Sequence, residues 1–295
     1  MKKKVSDKIK ALHLASQIVG RRMLTGAFAS RFLGEGYEFH STRKYSMEDD
    51  GRAIDWNVSA RMNAPFVKTY KQEKNINVFL CVDFSRSMNS SYNGIMLKDV
   101  AKELFYIFSL FSLHNSIPIG CLYFGANKCK IFLPSSSRTC IFNMLEKMED
   151  DSNEREEENG SPLADAIQKI QALLTSRSFV FLLSDFNIAG YQRSFSALGY
   201  GHDVVAIRLV NNSDFTLKKM GTVLFTDYES SFSAIMNTSC KGFAEKRKNE
   251  FIKELDKWKQ FCFASHIHPL ILNSGDDVVK ALSSFFASYK THQHR

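Results

Sequence analysis

The chain has 295 residues, 44% hydrophobic and 24% charged, with a formal net charge of +8. That is enough apolar material for one large core, or a core with a smaller appendage, and it excludes collagen-like, coiled-coil and wholly disordered classes. The excess charge is uneven: residues 1–75 hold 15 Lys and Arg against 8 Asp and Glu, or +7 of the total.

The amino terminus, MKKKVSDKIKALHLASQIVG, begins like a secretion signal, but Asp7, Lys8 and Lys10 interrupt the stretch where an unbroken apolar region is needed. Val5, Ile9, Leu12 and Val19 recur at helical spacing and predict a basic amphipathic helix to about Ser30, able to rest on a membrane surface or a partner. The following stretch, through residue 76, is rich in Gly, aromatics and paired charges and reads as an irregular β-containing appendage. The expected division is therefore 1–76 as helix and appendage, 77–290 as the main domain, and 291–295 as a tail.

From Asn77, short β-rich runs alternate with longer helical stretches, the pattern of a mostly parallel α/β sheet wound on both faces by crossover helices. NVFLCVD is an apolar strand ending in Asp83, followed by a polar loop and a helix from Ile95 to Leu113. Pro118–Phe124 and Cys129–Leu133 read as a hairpin around Gly-Ala-Asn. A short helix at Thr139–Met148 leads into an acidic loop, EDDSNEREEENG. Ser161 and Pro162 open the helix SPLADAIQKIQALLTS. SFVFLLSD is a second strand ending in an acid, Tyr191–Leu198 a short helix, and DVVAIRLV a third buried strand. A strand at TVLFTD, a helix from Gly242 to Phe263, the strand HIHPLIL and a helix from Asp277 to Tyr289 complete the chain.

The longest greasy segment, Leu104 to Leu113, falls short of the ~20 residues that span a bilayer, so a soluble protein without a transmembrane segment is expected. Six cysteines, Cys81, Cys121, Cys129, Cys140, Cys240 and Cys262, occur without a CxxC pair and mostly inside apolar runs. They read as reduced, buried thiols and point to the cytoplasm. The basic first 75 residues could attract nucleic acid or acidic lipid, but they carry no spaced aromatic platform or reading helix, so a protein-facing or solvated surface is the preferred account.

Asp83, Ser85 and Ser87 follow a buried strand and precede a helix. In open α/β sheets, ligand sites form outside the carboxyl ends of strands, and alternate residues of an extended loop can aim at one point. One carboxylate with two hydroxyls is a hard-oxygen set that suits Mg²⁺, with Mn²⁺ and Ca²⁺ as alternatives, at bonds of ~2.1 Å for Mg²⁺ and with water completing the shell. On its own, DxSxS reads first as a Ser-rich cap on the helix that follows.

The pattern DxSxS, with a later hydroxyl and a later strand-end Asp, resembles the metal-ion-dependent adhesion site of von Willebrand factor A domains. The resemblance assigns Ser161, where Thr is usual, and Asp185 as the remaining ligands. Upstream, Gly34, Gly36, Glu38, Phe39, Arg43, Tyr45, Asp49, Asp50, Arg52, Ile54, Asp55, Trp56, Asn57, Ala60 and Arg61 resemble the signature of the bacterial family called domain of unknown function 58, with Glu48 in place of a Gly. That resemblance implies a non-catalytic adaptor whose metal captures a carboxylate of a partner protein, working with a MoxR-type AAA+ ATPase.

Arg43, Asp49, Asp50, Arg52, Asp55, Trp56 and Arg61 are read first as a buried charge network docking the appendage, and second as a partner surface with Trp56 as hot spot. The acidic run Glu149–Glu158 is read as a solvated loop, or as a flap over the metal. His266 and His268 lack companion ligands for zinc. Neither a phosphate-binding GxxxxGK[ST] run nor a nucleophile elbow is present, so no enzymatic activity is expected.

Overall fold

A computed structural model describes residues 14–20, 38–46, 51, 54–62, 64–71, 77–125, 128–152, 162–211, 221–226, 233–237 and 242–288. Its centre is a six-stranded sheet. β3 (Val78–Asp83), β8 (Phe179–Ser184) and β9 (Asp203–Val210) are runs of Val, Leu, Ile and Phe with almost every residue buried, as strands covered on both faces require. β6 (Ile119–Gly125), β7 (Lys128–Ser135) and β12 (Ile267–Asn273) complete the order β7-β6-β3-β8-β9-β12. All neighbours pair in parallel except the β6–β7 hairpin, which places one antiparallel strand at an edge.

Period-two alternation sorts each strand between two layers. Val78, Leu80 and Val82 join a cluster with α2 (Leu97–His114), α3 (Arg138–Ser152) and α7 (Val278–Ser288). Phe79 and Cys81 face the other way, toward α4 (Pro162–Leu173), α5 (Gln192–Gly201) and α6 (Phe243–Ala264). The doubly wound α/β architecture read from the sequence is the one observed. Winding proceeds outward in one direction from β3 through β6 and in the other from β8 through β9, so the topological switch point lies between β3 and β8.

Around this centre the details depart from the sequence reading. The helix expected from Ile95 begins at Leu97, because Ile95–Met96 (β5) pairs with Ser91–Tyr92 (β4) across Asn93-Gly94, both at positive φ. Asn-Gly is the strongest short hairpin signal, and it lay inside what was read as a polar loop. α3 runs on to Ser152, so the acidic stretch expected as a loop starts helical, and its first acid, Glu149, meets Lys102 of α2 at 2.6 Å. The strand at β10 (Thr222–Thr226) belongs to a separate hairpin with β11 (Ser233–Asn237), a strand the sequence reading did not contain.

In the amino-terminal segment, β1 (Glu38–Lys44) and β2 (Phe66–Lys71) form an antiparallel pair with α1 (Trp56–Met62) between them in sequence. Residues 14–20 are helical, and Ala15 and Val19 belong to the same buried cluster as α2. At Gly20, an added Cβ would stand 2.6 Å from the ring of Phe111, so the helix backbone rests directly on α2. The amino-terminal helix, expected outside the main domain, thus packs into its core through Ala15 and Val19. Among the described residues, no helix is long and apolar enough to cross a membrane.

Candidate metal centre

β3 ends at Asp83 and β8 ends one residue before Asp185, so the two carboxylates emerge side by side at the carboxyl edge of the switch point. Both are buried. Asp83 Oδ1 accepts a 2.7 Å bond from the backbone N–H of Ser85, which bends the chain back over the strand end. Ser85 and Ser87 then bring their hydroxyls within 3.1 Å of each other, and a 3₁₀ turn over Arg86–Asn89 follows. Asp83, Ser85, Ser87 and Asp185 are thereby brought together. Ser161 lies outside the described residues, immediately before α4.

The loop after β3 depends on Gly125 at the end of β6. Gly125 has φ +147°, and a Cβ there would lie 2.4 Å from the carbonyl carbon of Phe84. A hydrogen bond of 2.7 Å from Phe84 N–H to the Phe124 carbonyl fixes that contact. The loop after β8 turns through Phe186, a non-glycine residue at φ +53°. Its ring is clamped among Tyr191, Phe195 and Trp258 at centroid distances of 5.7, 5.9 and 5.1 Å, which offsets the cost of the left-handed backbone.

Three residues missed at the sequence level complete the surroundings. Ser184 donates its hydroxyl to Asp83 Oδ2 at 2.5 Å, joining the ends of the two central strands. Asn187 offers its backbone N–H to one Asp185 oxygen at 3.3 Å and its amide to the other at 3.4 Å. Arg208 of β9, 2% exposed, donates to Asn187 Oδ1 at 3.1 Å and to Glu254 of α6 at 2.6 Å, with its guanidinium 5.6 Å from the Trp258 ring. A single arginine inside the apolar run DVVAIRLV was the available signal, since a charge buried in a sheet must be paired.

Burial and the facing Asp185 carboxylate push Asp83 up to about 7, against the lowering effect of its bonds from Ser184 and Ser85. Burial also raises Asp185, opposed by Ser87, Asn187 and the nearby positive charge of Arg208. Two acids in this position repel one another unless a proton or a cation sits between them. The donors are all hard oxygens, two carboxylates and two hydroxyls, and that set fits a divalent cation of the Mg²⁺ or Mn²⁺ type. Among the described residues, no three His, Cys, Asp or Glu converge on a metal position, so a nitrogen- and sulfur-rich zinc site is not formed by them.

The second group of predicted residues is arranged differently from the buried network expected. Trp56 is 72% exposed, and Arg43 and Arg61 are exposed. Asp55 caps α1 instead, accepting from the N–H groups of Asn57 at 3.0 Å and Val58 at 3.4 Å. An open Trp ring cannot anchor a buried network, so that docking role does not fall to Trp56. Asp49, Asp50 and Arg52 lie outside the described residues, as does the acidic run beyond Ser152.

Residues 41–252, well over half of the chain, match the model of the family described as protein of unknown function DUF58. The chain belongs to the DUF58 family. Other proteins similar to this DUF58 chain are an uncharacterized protein of Mycobacterium bovis and two of Mycobacterium tuberculosis, each 25% identical over 198 residues. The match covers 67% of this chain and 62% of each relative, so the DUF58 chain spans less than two thirds of their length. Among solved structures, an aerotolerance-related membrane protein from Bacteroides fragilis is 16% identical, with a TM-score of 0.42, covering 72% of this chain and 98% of its own. The SpRpn10 VWA domain is 12% identical, with a TM-score of 0.38 and coverage of 71% and 94%. Manganese-loaded TRAP protein of Plasmodium vivax is 14% identical, with a TM-score of 0.32 and coverage of 45% and 57%.

Proposed function

We propose that this DUF58 protein is a non-catalytic adaptor that binds one divalent cation, Mg²⁺ or Mn²⁺, and through it an acidic side chain of a partner protein. The observation that carries this reading is the meeting of Asp83, Ser85, Ser87 and Asp185 at the switch point, where two buried carboxylates face each other beside two hydroxyls. Asp83, Ser85 and Ser87 would hold the ion, Asp185 would act directly or through water, and Ser161 would supply the further hydroxyl that the adhesion-site resemblance assigns. When bound, the cation supplies a Lewis-acidic position that an incoming carboxylate can occupy.

The chain's own part is to orient the donors. Ser184 holds Asp83 by one oxygen, Asn187 holds Asp185 by both, and Arg208 moderates the negative charge of the pair. The donors are carboxylates and hydroxyls arranged around one point, a set suited to holding a cation, which supports the binding reading. The family resemblance adds a MoxR-type AAA+ ATPase as working partner, with a role in assembly or maturation of protein complexes.

Calorimetric titration with Mg²⁺ and Mn²⁺ tests the reading. Saturable binding is expected for the native chain and its loss in an Asp83→Ala/Ser85→Ala variant that still folds. Retention of a partner from extract should then require the metal and disappear with chelator. Equal titration curves for the two proteins would overturn the assignment.

A further inference from the structure

Arg208 buries a fixed positive charge beside the two carboxylates proposed to hold a cation. Its place is set by the sheet. Arg208 lies opposite Ser184 in the β8–β9 register, level with the residue before Asp185, and by period-two alternation with Val204 and Ala206 it falls in the layer that α6 covers. From there it acts on the centre: burial raises the Asp185 carboxyl, and the charge of Arg208 is among the influences that oppose the rise. Left uncompensated, the same charge would repel an incoming divalent ion.

The compensation comes from α6. Glu254 accepts from Nη2 of Arg208 at 2.6 Å, and the same nitrogen donates to Asn187 Oδ1 at 3.1 Å. Asn187 in turn offers its amide nitrogen to Asp185 at 3.4 Å. An amide whose oxygen is held by a guanidinium can present only its NH₂ to a carboxylate, so Arg208 fixes which way Asn187 faces. One turn along α6 from Glu254, Trp258 stands 5.1 Å from the Phe186 ring and 5.6 Å from the guanidinium. Two neighbouring residues of the Asp185 loop are therefore gripped by α6, Phe186 through Trp258 and Asn187 through Arg208 and Glu254. As a mere fastener the pair is a poor choice. The Arg208 Nε–H is buried without a hydrogen-bond partner among the described residues, a cost that an apolar side chain of similar volume would not carry.

We infer, resting on the cation-site reading above, that Glu254 and Arg208 are a positioning pair through which the surface of α6 sets the affinity of the centre for its ion. Arg208 orients Asn187 against Asp185, and Glu254 balances the charge that would otherwise repel the ion. The two ends of the pair differ in setting: the Arg208 side chain is 2% exposed and that of Glu254 57%, so the carboxylate can be altered from the solvent side without opening the core.

The test is calorimetric titration of the full chain with Mg²⁺ and Mn²⁺, with thermal unfolding of each variant in chelator alongside. Glu254→Gln keeps an oxygen that can accept from Arg208 and removes only the charge. It should weaken the ion by about tenfold, the low end of the range for groups that hold a metal ligand in place, because the carboxylate is partly solvated. Asp256→Asn removes the same charge two residues further along α6, where the carboxylate faces Lys259 at 3.6 Å, and should leave the Kd within about twofold. A second readout needs no ion: in chelator, the ¹H–¹⁵N signal of the Arg208 Nε–H should move in Glu254→Gln and hold still in Asp256→Asn. A pair that only fastens α6 would lower Tm in Glu254→Gln and leave the Kd as it was. That result, an equal loss of affinity in Asp256→Asn, or an Nε–H signal indifferent to Glu254→Gln would overturn the inference with the cation site still standing. Failure of the native chain to bind either ion would instead overturn the cation site, and the inference with it.

Discussion

At the scale of single residues, the candidate metal centre puts two buried carboxylates under electrostatic stress. Asp83 is held near 7, well above the ~3.9 of an unfolded aspartate. The native state therefore keeps a proton that the unfolded state releases, and stability falls as pH rises from about 4 to about 7. In chelator, Asp83→Asn should remove Asp83's part of this slope, leaving that of the buried Asp185, and raise stability at pH 8 on the order of a few kcal/mol, with little change at pH 4. Urea unfolding of the two proteins across that range would show it, and parallel pH profiles would refute it. The same reasoning separates what was legible from what was not. Asp83, Ser85 and Ser87 stood in one short motif at a strand end, and Asp185 closed a second strand. Ser184 carries no such mark, because its partner Asp83 is 101 residues away; Asn187 sits two residues beyond Asp185 in no pattern that announces the bonds, and Arg208 was marked only as a lone charge in an apolar run. Trp56 carried two readings that sequence alone could not separate: its 72% exposure rules out the buried anchor and leaves the partner-facing surface.

At the scale of elements, the strand ends and the loops they launch decide whether the donors meet. Gly125 lies beneath the Asp83 loop with no room for a side chain. Gly125→Ala should push Phe84 and Ser85 outward, destabilise the fold by about 2 kcal/mol and weaken Mg²⁺ binding by more than tenfold. Calorimetry and thermal unfolding of this variant would separate the two effects, and unchanged metal affinity would sink the prediction. Elements with strong periodicity or continuous apolar runs, such as α2, β3, β8 and β9, were readable with their boundaries nearly in place. The β4–β5 hairpin was missed because two-residue strands contain no period, and β11 because SAIMN is short and follows the polar stretch DYESSF. The extension of α3 into the acidic run reflects a tertiary partner, Lys102, that local propensity does not foresee.

At the scale of the whole molecule, the main domain is not complete without the amino-terminal helix. Val19 is fully buried against the α2 layer. Val19→Ala should cost about 2 kcal/mol by denaturant unfolding, and a chain beginning at residue 77 should expose that layer and unfold at lower temperature still. An unchanged midpoint for both would show that the helix merely rests on the surface. A boundary drawn at residue 76 followed composition, which does not register that Ala15 and Val19 are buried with α2.

The central pair β3–β8 carries a consequence for the order in which the candidate site assembles. The bond from Ser184 to Asp83 closes a loop of about a hundred residues, so the donors assemble after the slow, entropically costly part of folding. A growing chain on the ribosome carries Asp83, Ser85 and Ser87 long before it carries Asp185, and cannot trap a cation between them. On the proposed reading, a bound ion would act as a late lock instead of a nucleus. In stopped-flow experiments Mg²⁺ should leave the refolding rate unchanged and slow unfolding, whereas an accelerated refolding limb would show that the site forms early.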